Sequence, residues 1–205
     1  MFDQEIGATK VPRRIVDQQR GPECGYEAVE NVIQLVHLLN NNVSERDLKV
    51  RAAHGGYARV INGMLFLDIR GYRPLLSAYR IASTWVRHEW ETLTNGLRQN
   101  RVAIAVVDPH FLDPASYTAG GDLHAIVVTN FFTDLNRTIL GYTGIDSNFG
   151  AKERRWKYEN FEAAVARGGG WVLLTDGPID PTHWATYEVV AYGVSGFQIV
   201  ASQEP

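Results

Sequence analysis

The stretch CGYEAVENVIQLVHLLN, residues 24–40, constrains this chain more than any other. Ala28, Val29, Val32, Ile33, Val36 and Leu39 recur at steps of three and four, which lays them along one face of an α-helix that needs a surface to cover it. Gly21-Pro22 interrupts any earlier regular structure, so Cys24 falls in the first turn. The covering surface comes later in the chain. VAIAVV at 102–107, HAIVVTNFF at 124–132 and WVLLT at 171–175 are rich in β-branched and aromatic residues and read as buried strands. Helices first and strands second predict an α+β fold, with N-terminal helices packed on one side of a C-terminal antiparallel sheet.

The remaining punctuation fills in this outline. Ser44, with an acid three positions on, opens a second helix over SERDLKVRAA, and Gly55-Gly56 closes it. Between 57 and 79 the pattern is mixed and aromatic, and helix and loop both stay open. The stretch 88–99 reads as a short helix. The segment 139–146 follows 124–132 after a polar connection, 133–138, of hairpin length, so the two runs are expected to pair antiparallel. The stretch 158–167 has helical spacing, with Gly168-Gly169-Gly170 as its stop. TYEVVAYGV and GFQIVAS predict a terminal hairpin around 193–196. At 205 residues the chain reads as one domain, 1–205, with an insertion over 51–84 and a C-terminal hairpin extension over 176–205.

Composition excludes several classes of partner. A formal charge of −3 supplies no broad cationic field, so no nucleic acid is expected, and the basic clusters Arg13-Arg14 and 152–157 read as solvated surface. No apolar stretch is long enough to span a bilayer, and MFDQEIGATKVPRR lacks the hydrophobic segment of a secretory signal. A soluble chain is expected, cytoplasmic or exported without a classical signal peptide. The single cysteine rules out an intramolecular disulfide. Six histidines without close ligand spacing predict no metal and no cofactor.

A lone cysteine is ordinarily a small buried hydrophobe. At a helix start, however, unpaired amides and the helix dipole favour the thiolate. The partner would be His124, which opens the strand HAIVV after a glycine-rich turn. Its bland reading is a hydrogen-bonded residue at a sheet margin. Asp146 ends the strand expected to pair with the histidine strand, which brings carboxylate and imidazole to one corner of the sheet. Read alone, Asp146 is equally a turn acid for 147–150, and Asn148 is the fallback orienter of the imidazole. The Cys24 amide and the Gln18 side chain are candidate oxyanion donors, with Gln19 as the nearby competitor.

These residues carry a resemblance. Gln18-Gln19-Arg20-Gly21-Pro22-Glu23-Cys24-Gly25 resembles the glutamine and acid-Cys-Gly segment of the C39 family of bacteriocin-processing peptidases, within the papain-like cysteine peptidases. Gly121 to Val128 is similar to that family's histidine strand, and Gly144-Ile145-Asp146-Ser147 to the strand ending in its aspartate. Phe161 and 171–174 fit its closing segment. The resemblance implies a papain-like fold, a bacterial thiol hydrolase, and catalytic roles for Cys24, His124, Asp146 and Gln18. Ser147 and Ala125 stand where the family usually has proline and an aromatic. Its founding members cut leader peptides and are attached to membrane exporters. These 205 residues hold neither a membrane segment nor an ATP-binding cassette, and leader cleavage is not carried over.

The expected activity is that of a cysteine peptidase acting on a peptide or protein amide through an acyl-enzyme. One alternative is a glutamine deamidase, transglutaminase or acyltransferase with the same triad. Another is a non-catalytic binding module that presents Tyr57, Tyr72, Tyr79 and Trp85, whose plainer reading is core and rim packing. Specificity is expected in loops such as 108–121, with its two Asp-Pro steps, whether that segment is a lid or a plain connection.

Overall fold

The computed structural model describes residues 4–7, 23–37, 43–87, 89–117, 123–149, 153–177, 187–192 and 196–201. Strand β1 (Gln4–Gly7) comes first, followed by helix α1 (Cys24–His37), which begins at the cysteine as the Gly-Pro break predicts. Helix α2 (Glu45–His54) opens on Ser44, whose Oγ accepts from the Asp47 amide at 3.2 Å. The acid three residues after the cap binds the Ser44 hydroxyl at 2.8 Å. Gly55 closes α2, its amide donating to the Arg51 carbonyl at 2.9 Å.

The ambiguous stretch after it holds a hairpin of β2 (Ala58–Ile61) and β3 (Met64–Leu67), a 3-10 turn at Ile69–Gly71, and helix α3 (Tyr72–Ala78). Asn62 and Gly63 form the hairpin turn with φ of 51° and 77°, the left-handed pair a two-residue turn requires. No residue of either strand is fully buried, and Ala58, Leu65 and Leu67 pack only in part against the α1 core, so alternation is weak and the Asn-Gly pair is the clearer signal. Strand β4 (Ser83–Arg87) and helix α4 (Trp90–Arg98) follow.

The second half supplies most of the sheet: β5 (Ala103–Val107), the short helix α5 (Pro109–Leu112), β6 (His124–Thr133), β7 (Ile139–Ile145), β8 (Glu153–Lys157), helix α6 (Tyr158–Arg167) and β9 (Trp171–Thr175). Among the described residues the sheet has seven strands in the order β4-β9-β5-β6-β7-β8, with β1 also paired to β6. Every pairing is antiparallel. β5 lies along the first half of β6, at 124–128, and β1 along the second half, at 130–133. The predicted terminal hairpin is present as β10 (Tyr187–Tyr192) paired with β11 (Gly196–Ala201).

The sheet has a core on each face. On one, Val29, Val32 and Ile33 of α1 and Leu75 and Leu76 of α3 pack with Ile104, Ala125, Val127 and Leu173. On the other, Leu93 and Leu97 of α4 and Phe161 and Val165 of α6 pack with Ala105, Ile126, Val128 and Leu174. N-terminal helices on an antiparallel sheet are therefore as expected, but helices on one side only are not. The correction follows from β6 itself: successive residues of an apolar run point to opposite faces, so HAIVV needs a cover on both.

One other reading changes. Helix α1 is buried nearly all round, with Glu27 and Asn31 each 1% exposed, because α2, α3 and the loop after β7 enclose the side opposite the sheet. The cluster 152–157 contains edge strand β8, whose Glu153, Arg155 and Lys157 are exposed, in keeping with a solvated surface, while Trp156 is buried. Charged residues on an exposed edge discourage pairing with another chain. Among the described residues no helix is long and apolar enough to cross a membrane.

The close approach of β6 and β7 depends on Gly144, where an added Cβ would collide with the Val127 carbonyl. Gly144→Ala is expected to lower stability by about 1–3 kcal/mol, and Ser44→Ala, which removes only a cap, by about 1 kcal/mol. Urea unfolding of both variants checks this; a Gly144→Ala protein as stable as wild type would contradict the strand spacing.

Candidate active site

Glu23 is the first α1 carbonyl to accept within the helix, from the Glu27 amide at 3.0 Å, so Cys24 is the first helical residue. Its amide has no acceptor inside α1, and its half-buried sulfur lies at the positive end of the helix dipole. Gly25 beside it allows close packing. An added Cβ would come within 2.7 Å of the Tyr72 hydroxyl and 3.1 Å of Leu67 Cβ.

His124 is the first residue of β6, opposite Val107 of β5, and is buried. Strand β7 ends at Ile145, paired with Val127, so the chain leaves β7 beside the start of β6. Asp146 follows immediately. Its Oδ1 accepts from His124 Nε2 at 2.8 Å, and the Cys24 side chain is the other group that acts on the imidazole. Asp146 makes the contacts of both readings at once, to the imidazole and to the turn. Oδ1 also accepts the Asn148 amide at 3.1 Å and so caps the turn beyond the strand. Asn148 itself does not reach the imidazole; its side chain donates to the Tyr117 hydroxyl at 3.1 Å.

Burial alone would pull the imidazole pKa down. The hydrogen bonds to Asp146 and Cys24, together with their negative charges, outweigh it and raise the His124 pKa well above the ordinary range. The folded state therefore favours the imidazolium. The resulting stability is complete below the ordinary imidazole value of about 6.5 and is lost as pH rises through the raised folded value.

Tyr117 is a participant that sequence reasoning did not single out. Its hydroxyl donates to Asp146 Oδ2 at 2.7 Å and so occupies the carboxylate oxygen that His124 does not use. Burial first, and the Asp146 charge second, push the phenol pKa upward and keep it a proton donor. The ring is placed by its own segment, since the Tyr117 carbonyl binds His110 Nδ1 at 2.9 Å and its amide donates to the Asp113 carbonyl at 3.1 Å. Asp113 is in turn tied to β8 by Arg154 at 2.8 Å. Nothing in the sequence beyond the unusual length of 108–121 marks this tyrosine, because its partner lies 29 residues away.

Gln18 and Gln19, the candidate oxyanion donors, lie outside the described residues. Of the aromatic set, Tyr72 is buried, and Tyr57, Tyr79 and Trp85 pack against the α1 core, in keeping with the packing reading. Among the described residues one acidic group has the density to hold a metal ion: Glu23, Glu27 and Glu45 bring carboxylate oxygens within 4.8 Å of one another. The Lys49 ammonium already lies among them, 2.8 Å from Glu23 and paired with Glu45, and supplies the positive charge there.

No family model matches the sequence, and no curated protein matches it. Solved structures match it in fold. A Bacillus anthracis protein assigned as a C39-like peptidase superposes with a TM-score of 0.60 at 13% identity, over 86% of this chain and 100% of that one. A double-glycine motif protease from an AMS/PCAT transporter, solved with its leader peptide, gives 0.52 at 15% identity, over 84% and 97%. The chain thus shares the papain-like fold of C39 peptidases, and at these identities the fold is what is shared.

Tyr117→Phe would leave the buried Asp146 Oδ2 without its donor. A loss of about 1–3 kcal/mol in unfolding free energy is expected; unchanged stability would mean that water or another group takes the hydroxyl's place.

Proposed function

We propose that this protein is a papain-like thiol hydrolase, a cysteine peptidase that cleaves a peptide or protein amide through Cys24, His124 and Asp146. One observation carries the reading: a buried imidazole bonded to a carboxylate and influenced by a half-buried cysteine at a helix start. A purely structural histidine would be served by either partner alone. The fold shared with C39 peptidases supports the same chemistry.

In this reading His124 takes the Cys24 proton, and the thiolate attacks the carbonyl carbon of the scissile amide. The carbonyl oxygen becomes an oxyanion facing the Cys24 amide, which has no acceptor within α1, with the Gln18 side chain proposed as the second donor. As the C–N bond breaks, the imidazolium gives its proton to the departing amine and leaves a thioester on Cys24. Water attacks the thioester, with His124 again accepting a proton. The acid departs and the thiol is restored. Asp146 keeps the imidazole oriented for the exchange with Cys24, and Tyr117 and the Asn148 amide hold Asp146 in place.

Iodoacetamide is expected to alkylate Cys24 in the folded protein at neutral pH, and His124→Ala to slow that reaction by about a hundredfold or more. Intact-mass measurements with a library of peptides and acyl donors are expected to show a thioester on wild type and none on Cys24→Ala. Alkylation only after denaturation would rule the reading out. Ammonia release without chain cleavage would reassign the same site to glutamine deamidation.

A further inference from the structure

Glu27 lies one turn beyond Cys24 on α1, where an apolar side chain would serve packing better. It is 1% exposed. The hydroxyl of Ser147, the residue after Asp146, donates to its carboxyl. The oxygen Oε2 is buried and has no hydrogen-bond partner among the described residues. A carboxyl left partly unsatisfied in the interior destabilises the fold unless something else compensates. Here it bridges the two elements that carry the nucleophile and the orienting acid.

We propose that Glu27 is a positioning residue of this site, tying the nucleophile helix to the Asp146 loop through Ser147 and acting as a second carboxylate on the charge of His124. The inference rests on the reading of Cys24 and His124 as the reacting pair.

The groups around Glu27 come from four elements. Its own helix contributes Glu23 and Cys24. From α2 come Glu45 and Lys49, the latter already paired with Glu23 and Glu45. From β6 comes His124, and from the loop after β7 come Asp146 and Ser147. Burial is the largest influence on Glu27 and raises its pKa; the Ser147 hydrogen bond opposes it, and the charges of Glu45 and Glu23 add to it. The pKa rises to about 7, where the group can change charge at physiological pH. Once ionised, Glu27 adds a counter-charge to those of Asp146 and Cys24, so His124 keeps its proton to higher pH.

The linked stability has a definite sign. Because the folded pKa of this acid is raised, wild type loses stability relative to an uncharged isostere as pH rises from the unfolded value of about 4.3 through about 7. The melting-temperature advantage of Glu27→Gln should therefore grow across that interval and level off above it.

The deciding experiment follows the His124 side-chain resonances and the iodoacetamide alkylation rate against pH in wild type, Glu27→Gln and Ser147→Ala. In Glu27→Gln the His124 midpoint is expected to fall by on the order of one pH unit, and the near-neutral inflection in wild-type alkylation to vanish. In Ser147→Ala that inflection should move to higher pH, because the hydrogen bond that favours the carboxylate is gone; this decides the matter even if Glu27→Gln does not fold. Superimposable His124 titrations of folded wild type and folded Glu27→Gln, or an unmoved inflection in Ser147→Ala, would overturn the inference. A wild type whose folded Cys24 resists alkylation would instead remove the peptidase reading, while the His124 titrations would still report whether Glu27 acts on the imidazole.

Discussion

The antiparallel pairing of β6 with β7 is the constraint on which the rest of this structure depends. Ile145 lies opposite Val127, and from that register the start of one strand and the end of the other share a corner of the sheet. The same two strands supply apolar residues to both cores, so the corner is anchored by packing on each face. His124 and Asp146 meet on a rigid frame. A one-residue slip would exchange the residues of the two faces and take each side chain out of the core it fills, which is why the register is strongly specified.

Around that corner the protein buries an unusual set of polar groups. Asp146 and Glu27 are each 1% exposed, and His124 is 5% exposed. Ions in a protein interior are tolerated when they are paired and hydrogen-bonded. Asp146 meets that requirement with three donors, from His124, the Asn148 amide and Tyr117. Glu27 meets it only in part. The contrast separates the two carboxyls: one is supplied with donors on both oxygens, while the other changes its charge near neutrality.

The segment 108–117 acts as a brace for the carboxylate. Asp108 caps α5, Asp113 gathers Ser116 and Arg154, and the outcome is a tyrosine hydroxyl delivered to Asp146. Arg154 belongs to edge strand β8, and its guanidinium lies 3.9 Å from the centre of the Phe149 ring. Phe149 in turn packs edge-on against Tyr117. The sheet edge, the turn after β7 and this segment therefore converge on one side chain, so the imidazole is oriented by an assembly of elements.

Much of this was determined by the sequence alone. The periodic run 24–40, the Gly-Pro break before Cys24, the apolar strands and the short polar link before β7 specified the α+β order, the helix-start cysteine and the meeting of His124 with Asp146. Each is a local pattern or a hairpin, whose register follows from adjacent residues. The hairpin over 58–67 is not read from the sequence: helix and loop stay open there, although Asn62-Gly63 carries the turn signal. Tertiary structure alone decided the rest. That α1 is enclosed on every side, so that Glu27 is buried against Ser147, depends on α2, α3 and the β7 loop closing over a helix whose own pattern points it to solvent. That Tyr117 and not Asn148 completes the surroundings of Asp146 depends on a contact across 29 residues. Periodicity reports which face of an element is apolar, but not which distant polar group is packed against it, since that choice is made by close packing of the assembled domain.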